Sequence, residues 1–382
     1  MSAATASVRN QRIGFREHDS RINYFVKGAP RQNFGDYLPE LLAKEFMLHP
    51  RVEADIYRLI GSVIDTVWIL RDLRHTIGTQ NGRVAFWCCG MRSNALLDPA
   101  VHAMCSFFGV RGPFTRDRLG LPADTIMGDP GLLAPLFHAP SKLQEYVNRS
   151  VCIPHIHDTK TDSELLRLSG AELVLRPEIP ATEHALRQIL DMIASVSFVL
   201  TGALHGAILA CAYGRPFAFW DNGHVDISFK WHDFASSVNI PCVFAKSVEE
   251  GREIYQAVSP QMRIPPLSPI LEVCPFFIRP SALLRALCHD GRLQIDEARI
   301  AVQVLDELDC YQPNTVHRLQ GLSAQYRANR DTLKQIICVR AGRSKEAIKA
   351  ILKKIAFAAS PAIEDLADSI ALQGSRKSLR HN

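Results

Sequence analysis

Short apolar runs closed by Gly, Pro or Asp alternate with helical patterns through the first 258 residues, the rhythm of a chain that folds strand, helix, strand. From Ile22 to Phe137, the runs Ile22–Val26, Val67–Leu70, Val84–Cys88 and Thr125–Met127 read as strands, and Tyr37–Leu48 and Val52–Ile64 as helices. From Val151 to Val258, strands are expected at Val151–Ile156, Glu172–Leu175, Val196–Leu200, Phe217–Trp220 and Cys242–Phe244. Helices fall between them, at Thr182–Ala194 and Ser247–Ala257. This alternation predicts an α/β fold with two doubly wound parallel sheets and a site in the cleft between them.

The strongest local signal is Thr201-Gly-Ala-Leu-His-Gly-Ala-Ile-Leu-Ala-Cys-Ala-Tyr-Gly-Arg-Pro216. A buried strand stops at Thr201-Gly202, a small-residue helix over Gly206–Tyr213 begins at His205, Gly214 ends it, and Pro216 opens the next strand. The pattern predicts a βαβ crossover with His205 on the loop at the carboxyl end of a parallel strand. Ligands bind at that edge of open α/β sheets, and free helix N–H groups there favour an anion. His205 either moves protons on a phosphorylated substrate or caps its own helix.

Ser259 to Pro280 carries six prolines and reads as an extended connector, followed by helices at Ser281–His289 and Gln294–Leu308. Expected boundaries are 1–20 for a polar N-terminal segment, 21–148 and 149–258 for the two α/β domains, 259–312 for connector and helices, and 313–382 for a basic helical tail. The charge falls unevenly along these segments. Residues 311–382 carry 13 Lys/Arg against 5 Asp/Glu, so with the whole chain at +5 the first 310 residues sum to −3. In the tail, Ile336, Ile348, Ile351, Leu352 and Ile355 recur near helical spacing among Lys345, Lys349, Lys353 and Lys354. Such a helix suits either an anionic membrane surface or packing on its own protein. Basic charge without aromatic interleaving gives no nucleic-acid signal.

At 382 residues and 47% hydrophobic, the chain is long enough for a large core. Met1–Ser20 has no apolar core, so no signal peptide is expected, and the longest apolar stretch, Val196–Trp220, is interrupted by His205, Gly214, Arg215 and Pro216. Ten cysteines without CxxC spacing predict reduced thiols and a cytoplasmic protein.

Candidate chemistry clusters at expected strand ends. In Asn33-Phe-Gly-Asp36, Gly35 permits close approach of a ligand, and Asp36 either caps a helix or accepts hydrogen bonds from sugar hydroxyls. Arg111, in Val110-Arg-Gly-Pro113, offers a planar fork for carboxylate or phosphate, while Arg116 and Arg118 are expected to be solvated. Asp129, in Gly128-Asp-Pro-Gly131, is a turn residue or a cleft carboxylate. His155 and His157 share one face of an extended strand but lack a third ligand of suitable spacing, so no metal is expected. Lys230, in Phe229-Lys-Trp-His-Asp-Phe234, reaches a cleft phosphate or stays on the surface. No P-loop or Gly-x-Gly-x-x-Gly follows the first strand, which weakens nucleotide readings.

Taken in order, NFGD at 33–36, VRGPFTRDRL at 110–119, GDPGLL at 128–133, IPHIHD at 153–158, ALHGAILACAYGRP at 203–216 and FKWHDF at 229–234 resemble the polysaccharide pyruvyl transferase family. The similarity covers roughly 23 to 243 and is greatest to members that decorate bacterial exopolysaccharides. It implies two Rossmann-like domains facing a cleft, as in glycosyltransferase-B enzymes; the helical C-terminal extension beyond Pro313, read from the residues alone, is not covered by it. The implied reaction transfers the enolpyruvyl unit of phosphoenolpyruvate to two hydroxyls of one sugar, forming a ketal and releasing phosphate. Two departures stand out: the family often has Arg or Ser where this chain has Ala203, and Trp-Gly-x-Gly where it has Trp87-Cys-Cys-Gly90. Losing that arginine leaves Arg111 and Lys230 to hold more of the donor's charge.

The resemblance implies His205 as acid, at the vinyl carbon or the departing phosphate, and Asp36 or Asp129 as base. Arg111, Lys230, Asn33, Gly35 and His155 are the expected substrate-binding residues, and no metal or cofactor is expected. The implied partners are phosphoenolpyruvate and a lipid-linked oligosaccharide, which would suit a peripheral site at the inner membrane face. Two other readings fit the same architecture: a nucleotide-sugar glycosyltransferase, and a noncatalytic carbohydrate-binding relative favoured by Ala203 and the altered Trp87 stretch.

Overall fold

Parallel pairing dominates the two main sheets, so each pair of neighbouring strands needs a crossover on a sheet face. In the computed structural model, which describes residues 21–74, 82–223 and 225–292, Ile56–Arg58, Val84–Trp87 and Cys105–Phe108 lie side by side in that order, all parallel. Ile22 bridges to Tyr57 and Val110 to Met127, also in parallel. A short parallel pair, Ser62–Ile64 with Gly90–Met91, continues beyond the carboxyl ends of the first two strands. The second sheet runs Phe244–Ala245, Phe217–Trp220, Phe198–Thr201, Ser150–Ile153, Leu173–Val174, again all parallel.

Each sheet has its own core. Around the first, Ile64, Ile69, Val84, Phe86 and Val110 pack together; around the second, Leu165, Phe198, Leu200 and Trp220 do. Among the described residues, 21–46 and 50–276 form one compact unit holding both sheets. The remaining described residues belong to a second unit, where Met47–Pro50 pairs with Phe276–Ile278 and the helix Pro280–His289 follows.

The crossover read at Thr201–Pro216 is present. The strand Phe198–Thr201 leads into a turn held by Thr201, whose Oγ1 accepts from the Ala203 N–H at 3.0 Å and donates to the Ala203 carbonyl at 2.7 Å. The helix Leu204–Ala212 follows, Gly214 adopts φ +62°, and Phe217–Trp220 pairs in parallel with the first strand. Gly206 is required by proximity, since a Cβ there would come within 2.5 Å of Thr201 Oγ1. His205 is the second residue of this helix rather than a loop residue.

Two elements differ in kind from the sequence reading. Val67–Leu70 lies inside a helix, Thr66–Arg74, which buries only Ile69 and Asp72 and leaves Val67 71% exposed. The expected helix over 52–64 is two strands, Ile56–Arg58 and Ser62–Ile64, separated at Gly61 with φ +100°. Cys105–Phe108 is a strand the reading lacked, and the expected Thr125–Met127 strand shrinks to the bridge at Met127. The connector is partly ordered: Leu267–Glu272 is a helix that accepts Pro269 in its first turn, where no N–H is needed. The N-terminal segment, the expected helix at 294–308 and the basic tail lie outside the described residues. Among the described residues no helix is long and apolar enough to cross a membrane, and all eight cysteines are unpaired.

Candidate active site

Charged side chains belong in water unless a partner or a ligand meets them. Several in this chain are buried with donor or acceptor atoms left over. Arg111 leaves the first sheet one residue after Val110, just before the helix Pro113–Arg118, and is 0% exposed. Its Nη1 donates to Ser62 Oγ at 2.7 Å, and its Nε lies 3.4 Å from Asp233 Oδ2. Nε and Nη2 have no hydrogen-bond partner among the described residues. Gly90 makes the room, because a side chain there would overlap the guanidinium. Asp233 is itself fixed, accepting from the N–H and the hydroxyl of Thr115 at 2.9 and 2.7 Å. This contact joins the helix Pro113–Arg118 of the first sheet to the helix Ser228–Ser237 of the second.

Asp129 reconciles the two roles read for it. It caps the turn Pro130–Leu133, its Oδ1 accepting from the Gly131 N–H at 2.9 Å, while Oδ2 is buried with no hydrogen-bond partner among the described residues. Burial raises its pKa to about 6, against the pull of the neighbouring Arg111.

His205 does not cap its helix: the cap position is Ala203, with no side-chain cap bond. Its ring lies against Gly35, where any Cβ would overlap the imidazole, and its Nε2 is buried with no hydrogen-bond partner among the described residues. Burial, then Arg111 and Lys230, lower its pKa to about 3, so the imidazole is neutral in the free protein. Asn33 takes the capping role first considered for Asp36: its Oδ1 accepts from the Gly35 N–H at 2.9 Å at the start of the helix Phe34–Phe46. Asp36 sits in the first turn, its pKa raised to about 6 by burial against the attraction of Lys230, Arg58, His155 and Arg92.

Lys230 is on a helix but not on the surface; its side chain is 12% exposed and pairs with Asp226. Burial lowers its pKa, opposed by Asp226. His155 Nε2 lies 3.1 Å from the same Asp226 oxygen, beyond the end of the strand Ser150–Ile153 rather than on it. Burial works against ionised Asp226, but the hydrogen bonds from His155 and Lys230 hold its carboxyl well below the usual carboxylate range. Of the arginines expected in solvent, Arg116 pairs with Asp117 and Arg118 donates to the Asn94 carbonyl.

All eight residues singled out in the sequence therefore fall in one neighbourhood, linked by direct contact or by the charges acting on each other. Four more were missed. Asp226 and Asp233 anchor Lys230 and Arg111, and Arg92, over the Trp68 ring, faces Asp36. The fourth is Arg58, 3% exposed, in a bidentate pair with Asp72. A signal for Arg58 was present: an arginine amid the apolar run Ile56-Tyr-Arg-Leu-Ile60 is a buried charge if the run is a strand.

No curated protein and no solved structure matches the chain. Residues 81–224, which carry Arg111, Asp129, His155 and His205, match the model of the polysaccharide pyruvyl transferase family, and that match identifies the chain as a transferase.

Proposed function

We propose that this site binds phosphoenolpyruvate and transfers its pyruvyl unit to two hydroxyls of one sugar in a polysaccharide precursor, forming a cyclic ketal and releasing phosphate. The observation that carries the reading is a set of buried atoms with no hydrogen-bond partner among the described residues: Nη2 of Arg111, whose Nε meets only the ion-paired Asp233, Oδ2 of Asp129 and Nε2 of His205. Such atoms are costly to leave unmet, and here they gather where an anionic ligand entering the site would meet them. The donor carries about three negative charges near neutrality. Arg111 and Lys230 supply the cations, and Nη2 of Arg111 is the donor left to meet phosphate.

The proton inventory fits as well. Ketal formation needs one proton at the methylene carbon of the donor and one at the departing phosphate, and the two acceptor hydroxyls release two. Asp36 and Asp129, with pKa values of about 6, are poised to hold a proton once an anion enters beside them. One of them gives its proton to the methylene carbon, and the adjacent carbon bonds the first hydroxyl, whose proton returns to the carboxylate. The second hydroxyl then bonds the same carbon as the C–O bond to phosphate breaks, its electron pair leaving with phosphate. Neutral His205 takes the second proton at Nε2 and passes it to the leaving group. No metal or cofactor is part of the proposal. The acceptor we infer is a lipid-linked oligosaccharide.

Acceptor-dependent phosphate release from phosphoenolpyruvate tests the reading. His205→Ala is expected to lower it about 100-fold or more; unchanged turnover would leave His205 a packing residue. The glycosyltransferase alternative predicts instead that a uridine or guanosine diphosphate binds and phosphoenolpyruvate does not.

A further inference from the structure

Arg58 ends the strand Ile56–Arg58, in register with Phe86 of the parallel strand beside it, and so stands at the carboxyl edge where α/β sheets hold ligands. Its side chain is nearly enclosed. Asp72, from the helix Thr66–Arg74, takes one edge of the guanidinium, with Nε–Oδ2 at 2.7 Å and Nη2–Oδ1 at 2.5 Å. Asn23 Nδ2 donates to the same Oδ1 at 3.1 Å, so both carboxylate oxygens are engaged and the pair is locked. Nη1, at the other end of the guanidinium, is buried with no hydrogen-bond partner among the described residues. Cys89 Sγ donates to the Arg58 carbonyl at 3.3 Å and the Cys89 carbonyl accepts from the Arg111 N–H at 3.1 Å, so Arg58 lies beside the candidate site, and its charge acts on Asp36 there. A pair that served stability alone would have no use for an unmet buried donor, since apolar residues of like volume do as well.

We propose that Arg58 is a substrate-binding residue whose Nη1 takes the carboxylate of the donor, while Asp72 fixes the guanidinium that presents it. The inference rests on the phosphoenolpyruvate reading above. Charge decides which end of the donor Arg58 meets. Arg58, Arg111 and Lys230 are each paired with one aspartate, so Arg58 brings one cation with one open donor, which suits the singly charged carboxylate, whereas the doubly charged phosphate calls for the two cations Arg111 and Lys230 together. Arg58 thereby supplies part of the cationic character that Ala203 does not.

The test compares phosphoenolpyruvate with inorganic phosphate as ligands, by calorimetry, in the full chain. Arg58→Lys keeps a cation for Asp72 but removes Nη1. It is expected to weaken phosphoenolpyruvate binding about tenfold or more, the loss of one charge-assisted hydrogen bond, and to leave phosphate binding near wild type. Asp72→Asn, which loosens the pair but keeps Nη1, is expected to cost less of the preference for phosphoenolpyruvate over phosphate. Should Arg58→Lys fail to fold, the paired replacement Arg58→Met with Asp72→Leu removes both charges and carries the same expectation. A wild-type preference in either Arg58 variant, or an equal loss for both ligands, overturns the role of Arg58 while leaving the donor reading intact. Failure of the wild-type protein to bind phosphoenolpyruvate overturns both.

Discussion

Replacing Asp129 with Asn should make the protein more stable and less active, and the gain in stability should depend on pH. Asp129 is 0% exposed, and burial raises its pKa from the ordinary 3.8 to about 6. A carboxyl whose folded pKa is raised supports the fold when protonated, below about pH 4. That support is lost as pH rises through about 6, because the unfolded chain ionises first. The full loss corresponds to about 3 kcal/mol. Asparagine keeps the Oδ1 acceptor for the Gly131 N–H and does not ionise. Between pH 4.5 and 8 the gap between variant and wild type should therefore widen by about 2 kcal/mol in favour of the variant. For a unit of this size that is on the order of 4–8 °C in melting temperature. Urea melts of both proteins at the two pH values measure it. How the new amide sits beside Arg111 shifts both differences equally, and Asp36 and His205 titrate in both proteins, so the widening isolates Asp129. Parallel pH curves would refute the claim that Asp129 is held in a site that resists its ionisation. Turnover should fall about 100-fold or more if Asp129 handles a proton.

Gly35→Ala places a methyl group where the His205 ring lies and should depress turnover while the two sheets remain folded, as circular dichroism and activity together would report; full activity would mean the ring's position is unimportant. Phosphoenolpyruvate binding near pH 7 should take up protons, because an incoming anion raises the pKa of Asp36 and Asp129 further. Calorimetry in buffers of different ionisation enthalpy reads the uptake directly, and proton release would contradict the assignment of these carboxyls as donors.

The fold was most legible where local chemistry and tertiary context agree. The central strands of the second sheet are buried along their whole length, and Gly202, Gly214 and Pro216 punctuate them, so Phe198–Thr201 and Phe217–Trp220 could be read within a few residues. The first sheet was harder. Val67–Leu70 is as apolar as a strand, but Val67 and Leu70 are exposed on a helix whose one buried acid, Asp72, meets Arg58. Reading Val52–Ile64 as a helix hid both that pair and the strand that delivers Arg58 to the site. Residue types at strand ends exposed Arg111, Asp129 and His205, because a charged or titratable group there has few structural uses. Asp233, which meets Arg111, comes from distant sequence, and Asp226, only four residues before the Lys230 it pairs with, looks like any other acidic turn residue. The same blindness applies to pKa: a helix N-terminus alone gave no hint that burial with Arg111 and Lys230 would bring His205 down to about 3.

The most direct test of the proposed chemistry is to incubate the protein with phosphoenolpyruvate and a pool of lipid-linked oligosaccharides in deuterated water, then examine the saccharide and phosphate by nuclear magnetic resonance. Protonation of the methylene carbon from a titratable side chain predicts a ketal methyl group carrying one deuterium, formed in step with inorganic phosphate. Phosphate released without a ketal on the sugar, or a sugar carrying pyruvate with no solvent deuterium in its methyl group, would contradict it.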